Sequence, residues 1–392
     1  MTETRGSASD DRSHRNSPPD PPNAGPASRR SPRPDSPPSS RAGSRQRAFG
    51  VVAAVVIGIF LACQSRVNGQ LGQEVHDGIL AALWSFGSGL VVLATVYALS
   101  PGTRAGVRRL WRTVRSAAGV GIGTSARALR PWHCLGGVCG AYLVVTQSSI
   151  VGLVGVAVFT VAVVAGQAAS SLVVDRLGLG PAGRQPVTLL RVVGAVLALC
   201  AVLLSVGHQL DTPAKAALAI LPALGGVGTA WQQAVNGRVA ATASGSGGAQ
   251  VGQPGPVAPV IDGPHATRTQ GALVAALVNF TIGTSALIIA ALVDIALRGT
   301  PDAFPTNPIL YIGGMFGVAF ISMAAYVVRI TGVLLLGLAS VAGQLIGALV
   351  LDALLPASGT ELSPTTVLGT VLTLVAVAIA AAPARRTPAL AR

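Results

Sequence analysis

The sequence predicts an all-α integral membrane protein of about ten transmembrane helices, arranged as two inverted repeats of five. Three observations lead to this fold class. The chain has 392 residues, of which 51% are hydrophobic and only 11% charged, a composition suited to the lipid bilayer. Several long stretches contain no Lys, Arg, Asp or Glu, and a helix needs roughly 20 apolar residues to cross the hydrocarbon. The second half of the chain also repeats motifs of the first half in the same order.

The uncharged stretches give the individual helices. A double-length stretch, residues 131–174, is interrupted by small and polar residues at 147–152, so it is predicted to cross twice. Another helix fits between residues 186 and 207 if the Arg191 side chain extends to the membrane interface. The single crossings are residues 48–65, 78–103, 216–237, 269–293, 303–328, 330–351 and 362–384.

Two segments are expected to lie outside the membrane. Residues 1–47 are rich in Pro, Ser, Arg and Asp and bury too little apolar surface to offset the entropy of ordering, which predicts a disordered cytoplasmic tail. Residues 242–267 are rich in Gly, Ser and Pro and predict a flexible cytoplasmic loop. The repeats are then residues 48–210 and 213–384, followed by a cytoplasmic tail at 385–392.

The basic residues predict the orientation. The formal net charge of +14 would suggest a nucleic-acid partner in a soluble protein, but here the arginines cluster in alternate loops. With the N-terminus inside, only Arg66, Lys215 and Arg298 face outward. We therefore expect a multi-pass protein of the plasma or inner membrane with both termini cytoplasmic and no nucleic-acid partner. The largest cytoplasmic cluster is Arg104, Arg108, Arg109, Arg112, Arg115, Arg127 and Arg130.

The loop that holds this cluster has a helical pattern of its own. Val107, Leu110, Trp111 and Val114 recur at helical spacing, opposite the arginines. The pattern predicts an amphipathic helix along the membrane surface. Such a helix is either a positive-inside anchor or a binding surface for anionic membrane lipid.

The internal repeat is visible by direct comparison. The segment that begins at Gly155 aligns without a gap with the segment that begins at Gly332. Earlier in each half, QSRVNGQL resembles QQAVNGRV, and FGSG resembles FTIG. An odd number of helices per repeat would place the two copies in opposite orientations in the membrane. The matched residues include Gly136 with Gly313, Gly140 with Gly317, Gly166 with Gly343, Gln167 with Gln344, and Asp175 with Asp352.

These motifs resemble the YdcZ-type branch of the drug/metabolite transporter (DMT) superfamily. The resemblance rests on Gln-x-x-x-Asn in the first helix, Phe-x-x-Gly in the second, the glycine-rich third helix and Gly-Gln followed by Asp in the fourth, and it extends over most of residues 48–382. It implies a ten-helix bundle of two inverted halves and export of small metabolites or drugs. Inverted repeats commonly place a substrate site between the halves and expose it to each side in turn.

Amide side chains within the predicted helices are the candidate substrate site. Gln64 and Asn68 are four residues apart, as are Gln232 and Asn236, so each pair lies on one helix face. Polar amides in hydrocarbon need partners, and they either face a ligand or form hydrogen bonds between helices. Gln167 and Gln344 lie about 12 Å along a helix from Asp175 and Asp352, well inside the membrane, and are the leading candidates.

Glycines and aspartates are expected to serve packing or gating. Small residues allow close helix contact, and packing is the favoured role of the glycines. Asp175 and Asp352 fall at helix ends that water is expected to reach, so a boundary or gating role is the less favoured interpretation for them. The glycines concerned are Gly136, Gly140, Gly166, Gly313, Gly317 and Gly343.

A secondary carrier is therefore the leading functional hypothesis. The chain lacks a Gly-x-x-x-x-Gly-Lys phosphate loop, a His-Glu-x-x-His motif and a Gly-x-Ser-x-Gly motif, so the sequence predicts no enzyme, catalytic residue, metal or cofactor. The alternatives are a passive channel and a membrane scaffold without transport activity. Expected partners are a small-molecule substrate and membrane lipid, and a homodimer through the glycine faces remains open.

Overall fold

A computed structural model provides the structure of this protein. Its described residues are helical apart from turns and short connections, which confirms the predicted all-α class. Six of these helices are long and apolar enough to cross a bilayer. Residues 1–39 of the predicted N-terminal tail, the predicted C-terminal tail and residues 246–266 of the predicted loop lie outside the described residues. Residues 40–47 were predicted to belong to the disordered tail, and this is wrong, because they form the start of a helix. The described ranges are 40–118, 129–184, 186–206, 220–245, 267–301, 303–354 and 364–381.

The helices follow the order of the predicted repeats. The first half contains α1 (Ser40–Val75), α2 (Gly78–Leu99), α3 (Pro101–Ala118), α4 (Gly136–Leu177) and α5 (Leu189–Val206). The second half contains α6 (Ile220–Ala243), α7 (Arg268–Arg298), α8 (Gly313–Thr331), α9 (Val333–Leu354) and α10 (Pro364–Ala381). Short 3₁₀ turns, Pro131–Leu135 and Pro308–Tyr311, precede α4 and α8.

Local capping explains where several helices begin. The Asp77 carboxylate accepts hydrogen bonds from the backbone N–H groups of Ile79 (2.8 Å) and Leu80 (3.0 Å), which would otherwise lack partners at the start of α2. Thr267 and Gln270 form a reciprocal capping box at the start of α7. Gly332 separates α8 from α9 with a φ of 79°, a conformation that glycine adopts without steric cost.

Helix α3 is the predicted amphipathic helix of the cytoplasmic loop. Leu110 is buried in a cluster with residues of α6 and α7, and Val107 and Val114 pack against the same cluster. Trp111 is 60% exposed, and the Arg115 guanidinium lies 5.3 Å from the centre of its ring. The sequence pattern placed Trp111 on the apolar face of α3, but only Val107, Leu110 and Val114 pack against the bundle. Trp111 belongs to the basic outer face.

Helix α4 contains two arms that both pack on α6. The Tyr142 hydroxyl donates to the carbonyl oxygen of Leu221 (3.1 Å), and Ser170 Oγ donates to that of Val227 (3.2 Å). In a straight helix the two donors would be about 42 Å apart, but their acceptors are only about 9 Å apart along α6. Helix α4 therefore changes direction between its first arm, residues 136–151, and its second arm, residues 159–177.

The predicted interruption of this segment at residues 147–152 is wrong, because these residues are helical. Their small side chains serve close packing instead. A Cβ on Gly72 of α1 would lie 2.6 Å from the Ser148 carbonyl oxygen, and a Cβ on Gly78 of α2 would lie 2.9 Å from the Ser149 backbone nitrogen. The small and polar composition thus reflects helix contact rather than a loop.

The first helix of each half packs on the other half. Gly343 of α9 lies against the backbone of Val55 in α1, and Gly166 of α4 lies against the backbone of Ala223 in α6. A Cβ on Gly58 would overlap the carbonyl oxygen of Ser340, and one on Gly226 would overlap that of Val163. Residues 44–392 consequently form one compact unit rather than two domains.

The second helices of the two halves, α2 and α7, run antiparallel. Leu80 and Ala291 share one hydrophobic cluster, and the rings of Phe86 and Phe280 are 4.9 Å apart. Beyond the end of α2, Gly102 lies against the Gln270 amide. The residue numbers along α7 therefore fall as those along α2 rise. The two helices cross where the equivalent residues Phe86 and Phe280 meet.

Candidate functional site

A small cavity lies between α1, α2, α4, α7 and α8. Its volume is about 20 Å³, enough for one water molecule. Leu61, Gln64 and Gln147 line it, and the other lining residues come in pairs that occupy equivalent positions in the two repeats. These pairs are Phe86 and Phe280, Gly140 and Gly317, Leu143 and Phe320, and Val144 and Ile321.

The paired glycines bring the amides and the aromatic rings together. A Cβ on Gly140 would lie 2.5 Å from Gln232 Nε2 and 3.3 Å from Phe86 Cζ. A Cβ on Gly317 would lie 2.8 Å from Gln64 Nε2 and 3.0 Å from Phe280 Cζ. A larger side chain would displace the Gln232 amide at Gly140 and the Gln64 amide at Gly317.

The first amide cluster joins α1 to the first arm of α4. Asn68 Nδ2 donates to Gln147 Oε1 at 3.3 Å, and Gln147 Nε2 donates to Ser65 Oγ. Asn68 is completely buried, and Gln64 is 4% exposed. The predicted pair Gln64 and Asn68 therefore lies inside the bundle, with Gln64 at the cavity and Asn68 bonded to the neighbouring helix.

The second amide cluster joins α6 to α7. Asn279 Oδ1 accepts hydrogen bonds from Gln232 Nε2 at 2.9 Å and from Asn236 Nδ2 at 3.1 Å. All three side chains are at most 4% exposed. The predicted pair Gln232 and Asn236 thus also faces the interior, held by a third amide.

Several buried polar atoms around these clusters lack a hydrogen-bond partner among the described residues. They include an oxygen of Gln232, a nitrogen of Asn279 and the side-chain oxygen of Asn68. Each such atom costs about 1–3 kcal/mol of stability, and in a native protein it calls for an explanation. Binding of a polar ligand between the clusters would supply the missing partners.

Gln167 and Gln344 lie apart from the central cavity. Gln344 borders a second cavity of about 30 Å³ together with Ser65, Arg66 and Thr160. The Gln167 amide lies near Gly337 of α9, where a Cβ would be 3.2 Å from its nitrogen. Gln167 belongs to the second arm of α4 and Gln344 belongs to α9, whereas the central cavity is lined by the first arm of α4 and by α8.

The remaining predicted glycines lie at helix contacts. A Cβ on Gly136 would lie 2.9 Å from the Asn236 side-chain oxygen, and one on Gly313 would overlap the Asn68 side-chain oxygen. Gly166 and Gly343 lie against backbone carbonyls of α6 and α1. Gly136 and Gly313 therefore leave room for the amide clusters. Gly166 and Gly343 allow the close approach of α4 to α6 and of α9 to α1.

Asp175 is buried, so the expectation that water reaches it is wrong. Only 4% of Asp175 is exposed. Its carboxylate accepts hydrogen bonds from the N–H groups of Val333 (3.0 Å) and Leu334 (3.2 Å), which caps the start of α9, and it pairs with Arg191 at 3.5 Å. Arg191 is thus paired rather than extended to the interface. The side chain of Asp352 lies outside the described part of the structure.

Sequence reasoning missed two members of the amide clusters. Gln147 was assigned to the supposed interruption between two helices, although it reaches Asn68. Asn279 immediately precedes the repeated Phe280 and is the only carboxamide residue between 271 and 298. A carboxamide in so apolar a helix was the signal that could have identified it.

Comparison with known families now places the chain. The family described as "Putative inner membrane exporter, YdcZ" matches residues 49–204 and 249–379, which is most of the chain. The chain belongs to the YdcZ family. Membership in the YdcZ family and the six apolar helices identify a multi-pass inner-membrane protein of a transporter family. The second matched region omits α6, the helix that carries Gln232 and Asn236.

The solved structures agree with this fold. A chain titled "Crystal structure of protein" is 17% identical, with a TM-score of 0.50 over 86% of this chain and 96% of its own length. At that identity the similarity concerns the fold alone. No curated protein matches the YdcZ-family chain described here.

Proposed function

We propose that this protein is a secondary carrier that exports a small organic metabolite or drug by alternating access around the central cavity. The observation that carries the proposal is the cavity lining, in which four pairs of equivalent residues, one of each pair from each repeat, line the same cavity. A site between two inverted repeats can be closed from either side by symmetry-related movements of the two halves.

The proposed architecture is ten crossings in two inverted repeats. The two arms of α4 correspond to the separate helices α8 and α9. Helix α1 of the first half packs on α9 of the second half, and α6 of the second half packs on α4 of the first half. These reciprocal contacts support a twofold relation between the halves. The antiparallel crossing of α2 and α7 supports an axis perpendicular to the helices, which is the geometry of an inverted repeat.

The proposed setting follows from the charge distribution. Both termini lie in the cytoplasm, and the basic outer face of α3 lies against anionic lipid headgroups. The proposed partners are a small-molecule substrate and membrane lipid, without nucleic acid, and a homodimer is the alternative to a monomer. The proposal includes no enzymatic activity, in keeping with the exporter description of the family.

A carrier accounts for the cavity better than a passive channel does. The cavity holds only about 20 Å³ and is bounded by the packed rings of Phe86 and Phe280. A pore must be continuous across the membrane, whereas a carrier passes through a state closed on both sides. A cavity this small is not a continuous pore, so it fits the second description better.

The test is release of compounds from proteoliposomes loaded with a mixed metabolite pool, with and without an imposed pH gradient. We expect saturable release of a subset of compounds, altered by the gradient if protons are coupled. The variant Gln64→Leu should reduce this release at least tenfold, because it removes an amide from the cavity wall.

The matched control is Ser285→Ala, a small change on an exposed position of α7. Wild-type release should persist in this variant. If folded protein releases no compound above the level of protein-free liposomes, the carrier proposal is rejected.

A further inference from the structure

We infer that the central cavity receives an uncharged molecule that combines a flat ring with both a hydrogen-bond donor and an acceptor. The inference rests on the proposed transport function and adds the chemical class of the substrate. Three properties of the cavity wall carry it, namely its charge, its hydrogen-bonding groups and its aromatic surface.

The cavity wall carries no charge. Its eleven residues include no Asp, Glu, Lys, Arg or His. Nearby ionisable groups are directed elsewhere, since Arg66 borders the second cavity and Asp175 is engaged by Arg191 and the start of α9. Burial of an ion without a compensating charge is strongly unfavourable. The site therefore disfavours anions and cations alike.

The hydrogen-bonding groups of the wall are carboxamides. Gln64 and Gln147 line the cavity, and the Gln232 amide lies next to Gly140, which is one of the lining residues. A carboxamide both donates and accepts, so these groups match a ligand that does the same. One oxygen of Gln232 and one nitrogen of Asn279 are buried without a partner among the described residues. An amide or lactam group of a ligand would pair with both the donor and the acceptor of a lining carboxamide.

The aromatic surface favours a flat ring. Phe86, Phe280 and Phe320 line the cavity, and the rings of Phe86 and Phe280 are tilted by 34° to each other. Gly140 and Gly317 expose the edges of the first two rings because they have no side chain. Separation of α2 from α7 would open a slot between two aromatic faces, into which a planar ring can stack.

The experiment separates a metabolite extract by ion exchange into anionic, cationic and uncharged fractions. Each fraction is loaded into proteoliposomes of the full-length protein, and release is followed by mass spectrometry. Benzamide, benzoate and benzylamine then serve as competing probes, because they share a ring and differ in charge. We expect release from the uncharged fraction, with benzamide inhibiting at least tenfold more strongly than the two charged probes.

A charge substitution sharpens the test. The variant Gln64→Glu places a carboxylate at the cavity, so it should lose benzamide inhibition and gain inhibition by benzylamine, whereas Ser285→Ala should behave as wild type. Release of a charged fraction in place of the uncharged one, or equal inhibition by a charged probe, overturns the substrate class and leaves transport intact. Release from no fraction rejects the transport proposal itself, so the two failures are distinguishable.

Discussion

At the scale of single residues, glycine decides how closely the helices approach. At Gly58, Gly166, Gly226 and Gly343 an added Cβ would overlap a backbone carbonyl of a neighbouring helix. These four contacts form two equivalent sets, α1 with α9 and α4 with α6, and each set joins the two halves. Backbone contact at this distance provides van der Waals packing that larger residues would prevent, and packing is a main source of helix association in lipid.

Replacement of Gly343 by Ala should therefore destabilise the protein. The new methyl group would overlap the Val55 carbonyl oxygen, and overpacking typically costs about 1–3 kcal/mol. Gly87 is the control, since a Cβ there meets nothing within 4 Å and Ala favours the helix by up to about 1 kcal/mol. Thermal unfolding in detergent should show a lower Tm for Gly343→Ala and an unchanged or higher Tm for Gly87→Ala. Equal Tm values would contradict the packing account.

Asp175 is the second residue whose role depends on the structure. Asp175→Ala should lower the thermal stability, because it removes the cap of α9 and leaves Arg191 without its partner. Loss of a cap alone costs about 0.5–2 kcal/mol. Asp175→Asn keeps an acceptor and should fall between Asp175→Ala and wild type. The exposed neighbour Arg176 provides the control, and Arg176→Ala should unfold at the wild-type temperature.

At the scale of elements, α6 differs from the other helices of the bundle. It is 24 residues long and buried over most of its length, although it carries Gln232, Gln233 and Asn236. It is absent from the six helices that are apolar enough to cross a bilayer by composition. Its first turns expose apolar side chains, whereas the segment that carries the three amides is buried, so the composition of that segment reflects neighbouring helices rather than lipid.

The two arms of α4 give a prediction about distance. Spin labels at Val138 and Val173, both exposed, would be about 52 Å apart on a straight helix. Neighbouring helices pack about 8–10 Å apart, so in the folded-back arrangement the labels should be within about 30 Å. Pulsed electron paramagnetic resonance measures this distance directly. The native cysteines to be replaced first are Cys63, Cys134, Cys139 and Cys200.

Labels at Arg268 and Ile289, both exposed on α7, are the matched control for this measurement. They should give about 32 Å, the length of an uninterrupted helix between them. A distance near 50 Å between Val138 and Val173 would mean that α4 is straight and that its arms do not share α6.

At the scale of the whole molecule, the two halves complete each other. The first helix of each half packs on the third and fourth segments of the other half, and the cavity is lined from both. Neither half therefore forms the cavity wall by itself. This arrangement explains why residues 44–392 form a single unit although the sequence reads as two repeats.

The orientation of the whole molecule is tested by reporter fusions. Green fluorescent protein fused after Arg392 should fluoresce, because the positive-inside rule places that end in the cytoplasm. Alkaline phosphatase inserted after Gly299, in the connection between α7 and α8, should be active because the same rule places that connection outside. Activity of the two reporters in the reverse pattern would contradict the predicted orientation.

The sequence by itself determined the features that depend on local composition and order. Uncharged stretches predicted the membrane helices because hydrocarbon excludes charge, and the repeated motifs led to the YdcZ family. The same reasoning placed Gln64 and Asn68 on one face of α1, since spacing along a helix fixes direction. These conclusions require no knowledge of which helices are neighbours.

Only the tertiary structure decided which side chains meet. Gln147 and Asn279 complete the amide clusters, whereas Gln167 and Gln344 lie on segments that do not line the central cavity. Asp175 caps α9, which begins 158 residues later in the chain. Such contacts depend on how helices distant in sequence pack against each other, and a local pattern contains no information about the partner across the interface.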